Sequence, residues 1–175
     1  DCPRSIRHGV AEVIFGAGKT ADQLTQIAKS LLDGGEKTVL ITRMSKEKSE
    51  LVGREIKIEY DEISGAAIAG EIPAPKSKSE VLVCCAGTSD LYCANEAMMT
   101  LKAFGCKAKL LCDVGVAGIH RILEHADEIA NASVIIAIAG MEGALASVIG
   151  GLASCPVIGV ATSVGYGTGV GGAAA

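Results

Sequence analysis

The stretch SVIIAIAGMEGALASVIGGLASCPVIGVAT, residues 133–162, decides the fold. SVIIAIAG is short, apolar and rich in β-branched residues. Such a run suits a strand buried on both faces, the habit of parallel sheets. EGALASVIGGLAS has helical spacing, and PVIGVAT returns to strand character. Strand, helix and strand in sequence make a right-handed βαβ unit. The same rhythm continues upstream. EVLVCCAG reads as a strand. DLYCANEAMMTLKAFG reads as a helix, with Leu91, Ala94, Ala97, Met98, Leu101 and Phe104 on its apolar side and Gly105 as its stop. KAKLLCDV is a strand, and AGIHRILEHADEIAN a helix. Four strands separated by three helices predict an α/β fold over residues 81–175, a flavodoxin-like or Rossmann-like parallel sheet. Ligands of such sheets bind outside the carboxyl ends of the strands.

The composition agrees. The chain has 175 residues, enough for one domain with a small appendage. Hydrophobic residues make up 49% and aromatics only 3%, so the core must be built from Val, Ile, Leu and Ala. A net charge of −4 without a dense basic run speaks against a nucleic-acid or membrane surface. The Cys residues number seven, an odd count without a Cys-x-x-Cys pair, and several sit in strand-like runs where Cys acts as a small hydrophobe. That argues for a reducing, cytoplasmic setting and against a disulfide framework. No signal peptide is visible, and no apolar run reaches the roughly 18 residues of a membrane span.

EIPAPKSKSE, around residues 72–80, reads as a linker. Residues 1–71 are expected to form a small N-terminal α/β subdomain. VAEVIFG is a strand, 20–33 a helix, KTVLITR a strand, and IKIEYDEISGAAIAG one more strand with a turn. FGAGKT, residues 15–20, has the look of a phosphate loop, but the Walker A spacing requires a Gly at 13, and residue 13 is Val. The preferred reading is a strand-to-helix turn with Thr20 as N-cap and Gln23 at the capping-box position. Lys19 at the helix start is left as an anion contact.

Chemistry concentrates at the strand ends. In AGTSD, Gly87 allows close backbone approach, and Thr88, Ser89 and Asp90 either cap a helix or hold a ligand's hydroxyls or phosphate. In DVGVAGIHR, Asp113 ends a strand and Gly115 and Gly118 loosen the turn. Arg121 suits phosphate as a planar fork, and His120 can move a proton near neutral pH; each alone is more often structural. In AGMEGA, Gly140 and Gly143 bracket Met141 and Glu142. There Glu142 is either a cap-like structural group or a general base with little water around it. TSVGYGTGVGG, with Ser163 and Gly165, forms a fourth wall. Together these loops predict a pocket for a phosphorylated, hydroxylated small molecule.

The motifs AGTSD, DVGVAGIHR and AGMEGALASVIGGLASCPVIGVATSVGYG resemble the PurE-type carboxylase superfamily. With EVIFGAGKT upstream, the Met-Glu turn and the TSVGYG loop are similar to the LarB family, the pyridinium-3,5-biscarboxylic acid mononucleotide synthases of nickel-pincer nucleotide biosynthesis. The resemblance spans nearly the whole chain. It implies a substrate, nicotinic acid adenine dinucleotide, carboxylated at C5 of its pyridinium ring with CO2 or bicarbonate. It also implies phosphoanhydride hydrolysis with release of AMP, Mg²⁺ at the phosphates, and a homo-oligomer, an octamer in PurE-type domains.

By resemblance, a Cys thiolate adds to the ring and makes C5 nucleophilic; after carboxylation Glu142 removes the C5 proton and the thiolate leaves. Asp90 and Ser89 hold ribose hydroxyls or phosphate, Arg121 holds phosphate, and His120 assists proton transfer. Gly87, Thr88, Asp113, Gly115, Gly140, Met141, Gly143, Ser163 and Gly165 complete the expected binding set. The family's nucleophilic Cys is expected beyond residue 175, which predicts that this chain binds but does not carboxylate. Two rivals stand beside this reading. One is an aminoimidazole ribonucleotide carboxylase or mutase, which has no need of Glu142, and the other is a non-catalytic nucleotide-binding module.

Overall fold

The structure, a computed structural model, describes residues 12–75, 78–165 and 171. It separates into two compact units, Asp1–Pro75 with Met99–Gly105, and Lys76–Met98 with Cys106–Ala175.

The first unit holds β1 (Val13–Phe15), α1 (Ala21–Asp33), β2 (Thr38–Thr42), α2 (Lys46–Glu55), β3 (Ile58–Asp61) and β4 (Ala66–Gly70). Its sheet runs in the order β1-β2-β4-β3. The β1–β2 pair is parallel and the other two pairs are antiparallel. Leu24 and Ala28 of α1, Val39 and Ile41 of β2, Val52 of α2 and Ala67 and Ala69 of β4 pack into its core.

Two features differ from the sequence expectation. Residues 46–55 form a helix, and IKIEYDEISGAAIAG is a hairpin of two strands. The hairpin turns at Gly65, whose φ of 66° is left-handed backbone that glycine adopts without strain. A Cβ on Gly65 would also lie 2.9 Å from the Met44 carbonyl oxygen.

The FGAGKT turn is a structural joint. Gly16 N–H donates to the Thr42 carbonyl at 2.7 Å, and a Cβ on Gly16 would sit 2.8 Å from that oxygen. Thr20 and Gln23 form the reciprocal capping box of α1, at 3.0 and 3.2 Å. Lys19 donates to the Phe15 carbonyl at 2.9 Å, and Lys48 to the Gly16 and Ala17 carbonyls. The turn is thus occupied by its own chain.

The second unit holds β5 (Glu80–Cys85), α3 (Leu91–Ala103, whose last turns group with the first unit), β6 (Lys107–Leu111), α4 (Ile119–Glu124), α5 (Ala126–Asn131), β7 (Val134–Ala139), α6 (Ala144–Leu152) and β8 (Val157–Ala161). All its strands are parallel, in the order β6-β5-β7-β8. Numbered within the unit, this is 2-1-3-4, the flavodoxin-like winding, with its switch point between β5 and β7. The register sets Cys84 beside Leu111 and Ala137, and Ala137 beside Gly159. One face carries Leu82, Cys84, Ile135, Ala137 and Ala139 against Ile122, Ile129, Leu145 and Ile149 of the helices. Burying each large apolar side chain contributes roughly 1.5–3 kcal/mol.

The strands are less uniform than their apolar runs predict. The central β5 and β7 are largely buried, whereas the edges are open. Lys107 and Lys109 interrupt β6, as charges on an edge strand do, and Ile158 of β8 is 52% exposed. The single helix expected from AGIHRILEHADEIAN is two, broken at His125. The break is pinned by His125 Nδ1, 2.9 Å from Glu128 Oε1, with Glu128 also paired to Lys109.

Candidate functional site

The switch point places the loops after β5 and β7 side by side, flanked by those after β6 and β8. The β5 loop is shaped from within. Gly87 is extended, Thr88–Asp90 form a 3-10 turn, and Asp90 N–H donates to the Gly87 carbonyl at 3.1 Å. Thr88 and Ser89 are exposed and face solvent at the mouth, but Asp90 is only 4% exposed. Its Oδ2 accepts the Gly87 N–H at 3.2 Å, and its Oδ1 accepts the Thr162 hydroxyl at 2.7 Å. A direct contact to ribose, expected of Asp90 from sequence, would have to use lone pairs left over from these two bonds.

The β6 loop presses against the β5 loop. Gly115 lies so close that a Cβ there would sit 2.8 Å from the Ala86 carbonyl oxygen, and Val114 N–H donates to the Cys85 carbonyl at 3.1 Å. Asp113 has φ 59°, left-handed backbone that Asp tolerates better than most residues. Its Oδ2 accepts Arg121 Nη1 at 2.6 Å. The Arg121 head lies over Gly118, where a Cβ would come 2.5 Å from Nε. That Nε is buried and has no hydrogen-bond partner. An orphaned guanidinium donor is costly unless something accepts from it. His120 is exposed on the first turn of α4.

The β7 loop is the tightest. A Cβ on Gly140 would collide with the Val164 carbonyl and lie 2.8 Å from Thr162 Oγ1. Met141 N–H donates to the Val164 carbonyl at 2.8 Å. Met141 has φ 58° and Gly143 φ 68°, so Glu142 stands between two left-handed residues. For Met this conformation is strained, and such strain gathers at functional turns. Glu142 is exposed, which corrects the expectation of a carboxylate with little water near it. Gly143 supplies no side-chain cap, so the first N–H groups of α6 point to the mouth without one. Of the β8 loop, Ser163 is exposed with its Oγ 3.5 Å from the Tyr92 hydroxyl, and Gly165 is half-buried. The rest of that glycine-rich loop, 166–170, lies outside the described residues.

A cavity of 180 Å³ opens at the carboxyl ends of β7 and β8 under the start of α6, lined by Ala and Gly with Val160. Burial pushes the thiols of Cys84 and Cys85 up to about 12, Cys112 adding to the effect at Cys85. Among the described residues no group of three or more His, Cys, Asp or Glu converges on a metal position, and no helix is long and apolar enough to cross a membrane. Thr162 is the site residue that sequence reading passed over. Its only signal was a hydroxyl directly after an apolar strand.

A flavodoxin-like sheet with small-residue loops, an Arg–Asp pair after β6 and an exposed carboxylate after β7 is the arrangement of a nucleotide-binding α/β protein. The comparisons with known proteins narrow this. Residues 1–71 match the LarB/PurE-like N-terminal domain, and residues 80–171 match AIR carboxylase. An uncharacterized protein of Methanocaldococcus jannaschii is 38% identical over 176 residues, covering 95% of this chain and 68% of that protein. The chain belongs to the LarB/PurE-like carboxylase family. Its function is of the carboxylase type, on a nucleotide substrate.

Proposed function

We propose that the chain binds nicotinic acid adenine dinucleotide at the β5–β7 crevice and serves its carboxylation at C5 of the pyridinium ring. Phosphoanhydride hydrolysis also releases AMP and leaves the 3,5-dicarboxylated mononucleotide, the step that feeds nickel-pincer nucleotide biosynthesis. The observation that carries this reading is Glu142, an exposed carboxylate held between Gly140 and Gly143 at the end of a central strand. In the thiolate adduct the C5 that has taken up CO2 still carries a proton, and aromaticity returns when a base removes that proton and the thiolate leaves. The AIR carboxylase match keeps aminoimidazole ribonucleotide carboxylation as the second reading, since its ring carbon must also lose a proton.

The other residues fall into place around this base. Arg121 holds a phosphate through its guanidinium head, which Asp113 orients. Thr88 and Ser89 present hydroxyls and backbone N–H groups to the same phosphate or its ribose. His120 carries a proton to or from the outgoing group. Cys84 and Cys85, the thiols nearest the strand ends of β5, stay protonated at neutral pH and are poor nucleophiles. The thiolate that adds to the ring is therefore not assigned to either of these two. A divalent ion, Mg²⁺ by resemblance, would be held mainly by the dinucleotide's own phosphates and water, and would offset their charge.

Calorimetric titration of the chain with nicotinic acid adenine dinucleotide tests the proposal. Binding should occur, and Arg121→Ala should weaken it by about 10-fold or more. In a turnover assay with labelled bicarbonate, Glu142→Gln should cut carboxylation by roughly 100-fold. Tight binding of aminoimidazole ribonucleotide with none of the dinucleotide would sink the reading.

A further inference from the structure

The hydrogen bond between Thr162 and Asp90 ties together loops that are 72 positions apart in sequence. Both residues are buried, at 1% and 4% exposure. A carboxylate shut away from water needs its lone pairs filled, and here each oxygen has one donor, the Thr162 hydroxyl and the Gly87 N–H. Thr162 is itself fixed, its N–H donating to the Ala139 carbonyl at 3.0 Å at the end of β7. A Cβ on Gly140 would collide with the Val164 carbonyl and would also come 2.8 Å from the Thr162 hydroxyl oxygen. One hydroxyl therefore touches the walls that follow β5, β7 and β8.

We propose that Thr162 is a positioning residue of the nucleotide site: by holding Asp90 Oδ1 it aims Oδ2 at Gly87 N–H, and so sets the Gly87–Ser89 turn against the β7 loop. Asp90 acts from beneath that turn. Its buried carboxylate serves the Gly87–Ser89 backbone, and the turn meets the ligand with Thr88, Ser89 and Gly87. The part of this that concerns ligand rests on the function proposed above, and the part that concerns the turn does not.

The consequence is readable without any ligand. Hydrogen exchange of the Gly87 amide, followed by NMR, should speed up roughly 10-fold or more in Thr162→Val, because Asp90 is then free to leave Gly87. Thr162→Ser keeps the hydroxyl and should hold Gly87 protection near wild type. In the same pair, titration with nicotinic acid adenine dinucleotide should show affinity lost roughly 10-fold in the Val variant and restored in the Ser variant. If Thr162→Val does not fold, Thr162→Ala removes the hydroxyl without setting a methyl against the carboxylate, and its outcomes are read the same way. Unchanged Gly87 protection in the variant without the hydroxyl overturns the proposal. So does loss of protection in Thr162→Ser, which would mean that the methyl group is what matters. A variant that loses Gly87 protection yet binds the dinucleotide like wild type also overturns the positioning role. A wild-type chain that binds no dinucleotide removes the functional reading, and the exchange result then decides the clamp alone.

Discussion

At Gly118 one added methyl separates binding from stability. A Cβ there would meet the far end of the Arg121 side chain, at 2.5 Å from Nε and 2.6 Å from Nη2. That end is flexible, so Gly118→Ala should displace the guanidinium from Asp113 and cost little fold stability, under about 1 kcal/mol, since the exposed pair itself is worth little. Phosphate-dependent binding should fall as it does in Arg121→Ala, which titration beside a thermal melt would show. Gly140→Ala is the contrasting case. Its Cβ meets backbone, the Val164 carbonyl, which cannot swing aside. A loss of roughly 2–4 kcal/mol in chemical denaturation is expected. Cys84 and Cys85 supply a pH test at the same scale. Their thiols sit near 12 when folded against an ordinary value of 9.0. Below pH 9 both states keep the proton, so this contribution to stability is fully present. As pH rises from about 9 towards 12 only the unfolded chain ionises, and stability should fall. Denaturation curves at pH 8 and 10.5, for wild type and Cys84→Ala, would reveal a steeper loss in wild type.

At the scale of elements, what could be read from sequence depended on how strongly each segment states its period. β5 and β7 announce themselves because they are largely buried, and α6 because it is nearly all apolar, and the order of strand and helix then leaves little choice of sheet. α2 is the opposite case. KEKSELVGRE buries only Ser49 and Val52, so its apolar stripe is too thin to count, although Ser45 does accept from Lys48 N–H as an N-cap. The β3–β4 hairpin was hidden because its turn, Asp61 to Gly65, is built by side chain as well as glycine. Asp61 Oδ2 accepts both the Ser64 N–H and its hydroxyl, an Asx-type turn inside what looks like one run. The site loops were visible as clusters of Gly and small polar residues, but their internal wiring was not. That Asp90 points inward and Glu142 outward follows from tertiary contacts and from the positive φ of Met141, neither of which has a local pattern. α1 offers an elementary check. Thr20→Ala removes its share of the capping box and should cost about 1 kcal/mol by urea denaturation, with dinucleotide affinity unchanged, because the turn it caps is filled by Lys19 and Lys48.

At the scale of the molecule the second unit is uneven in what it shows to water. β6 guards its edge with Lys107 and Lys109, paired to Glu80 and Glu128. Among the described residues β8 has no such guard. Its sequence is VIGVA, its Ile158 is half exposed, and Gly150 and Gly151 on the neighbouring α6 have open space where a Cβ would be. An apolar edge left unguarded by the described residues, beside a helix without a charged residue, is the kind of surface that self-association covers. If that edge is the contact, sedimentation of the chain should give a multiple of its 17.7 kDa mass. Ile158→Lys should then shift it to a smaller species. The substituted side chain is at the surface, so the monomer's circular dichroism should be unchanged. A chain that sediments as a monomer at tens of micromolar, or an Ile158→Lys variant that keeps the wild-type mass, would place the self-association surface elsewhere or remove it.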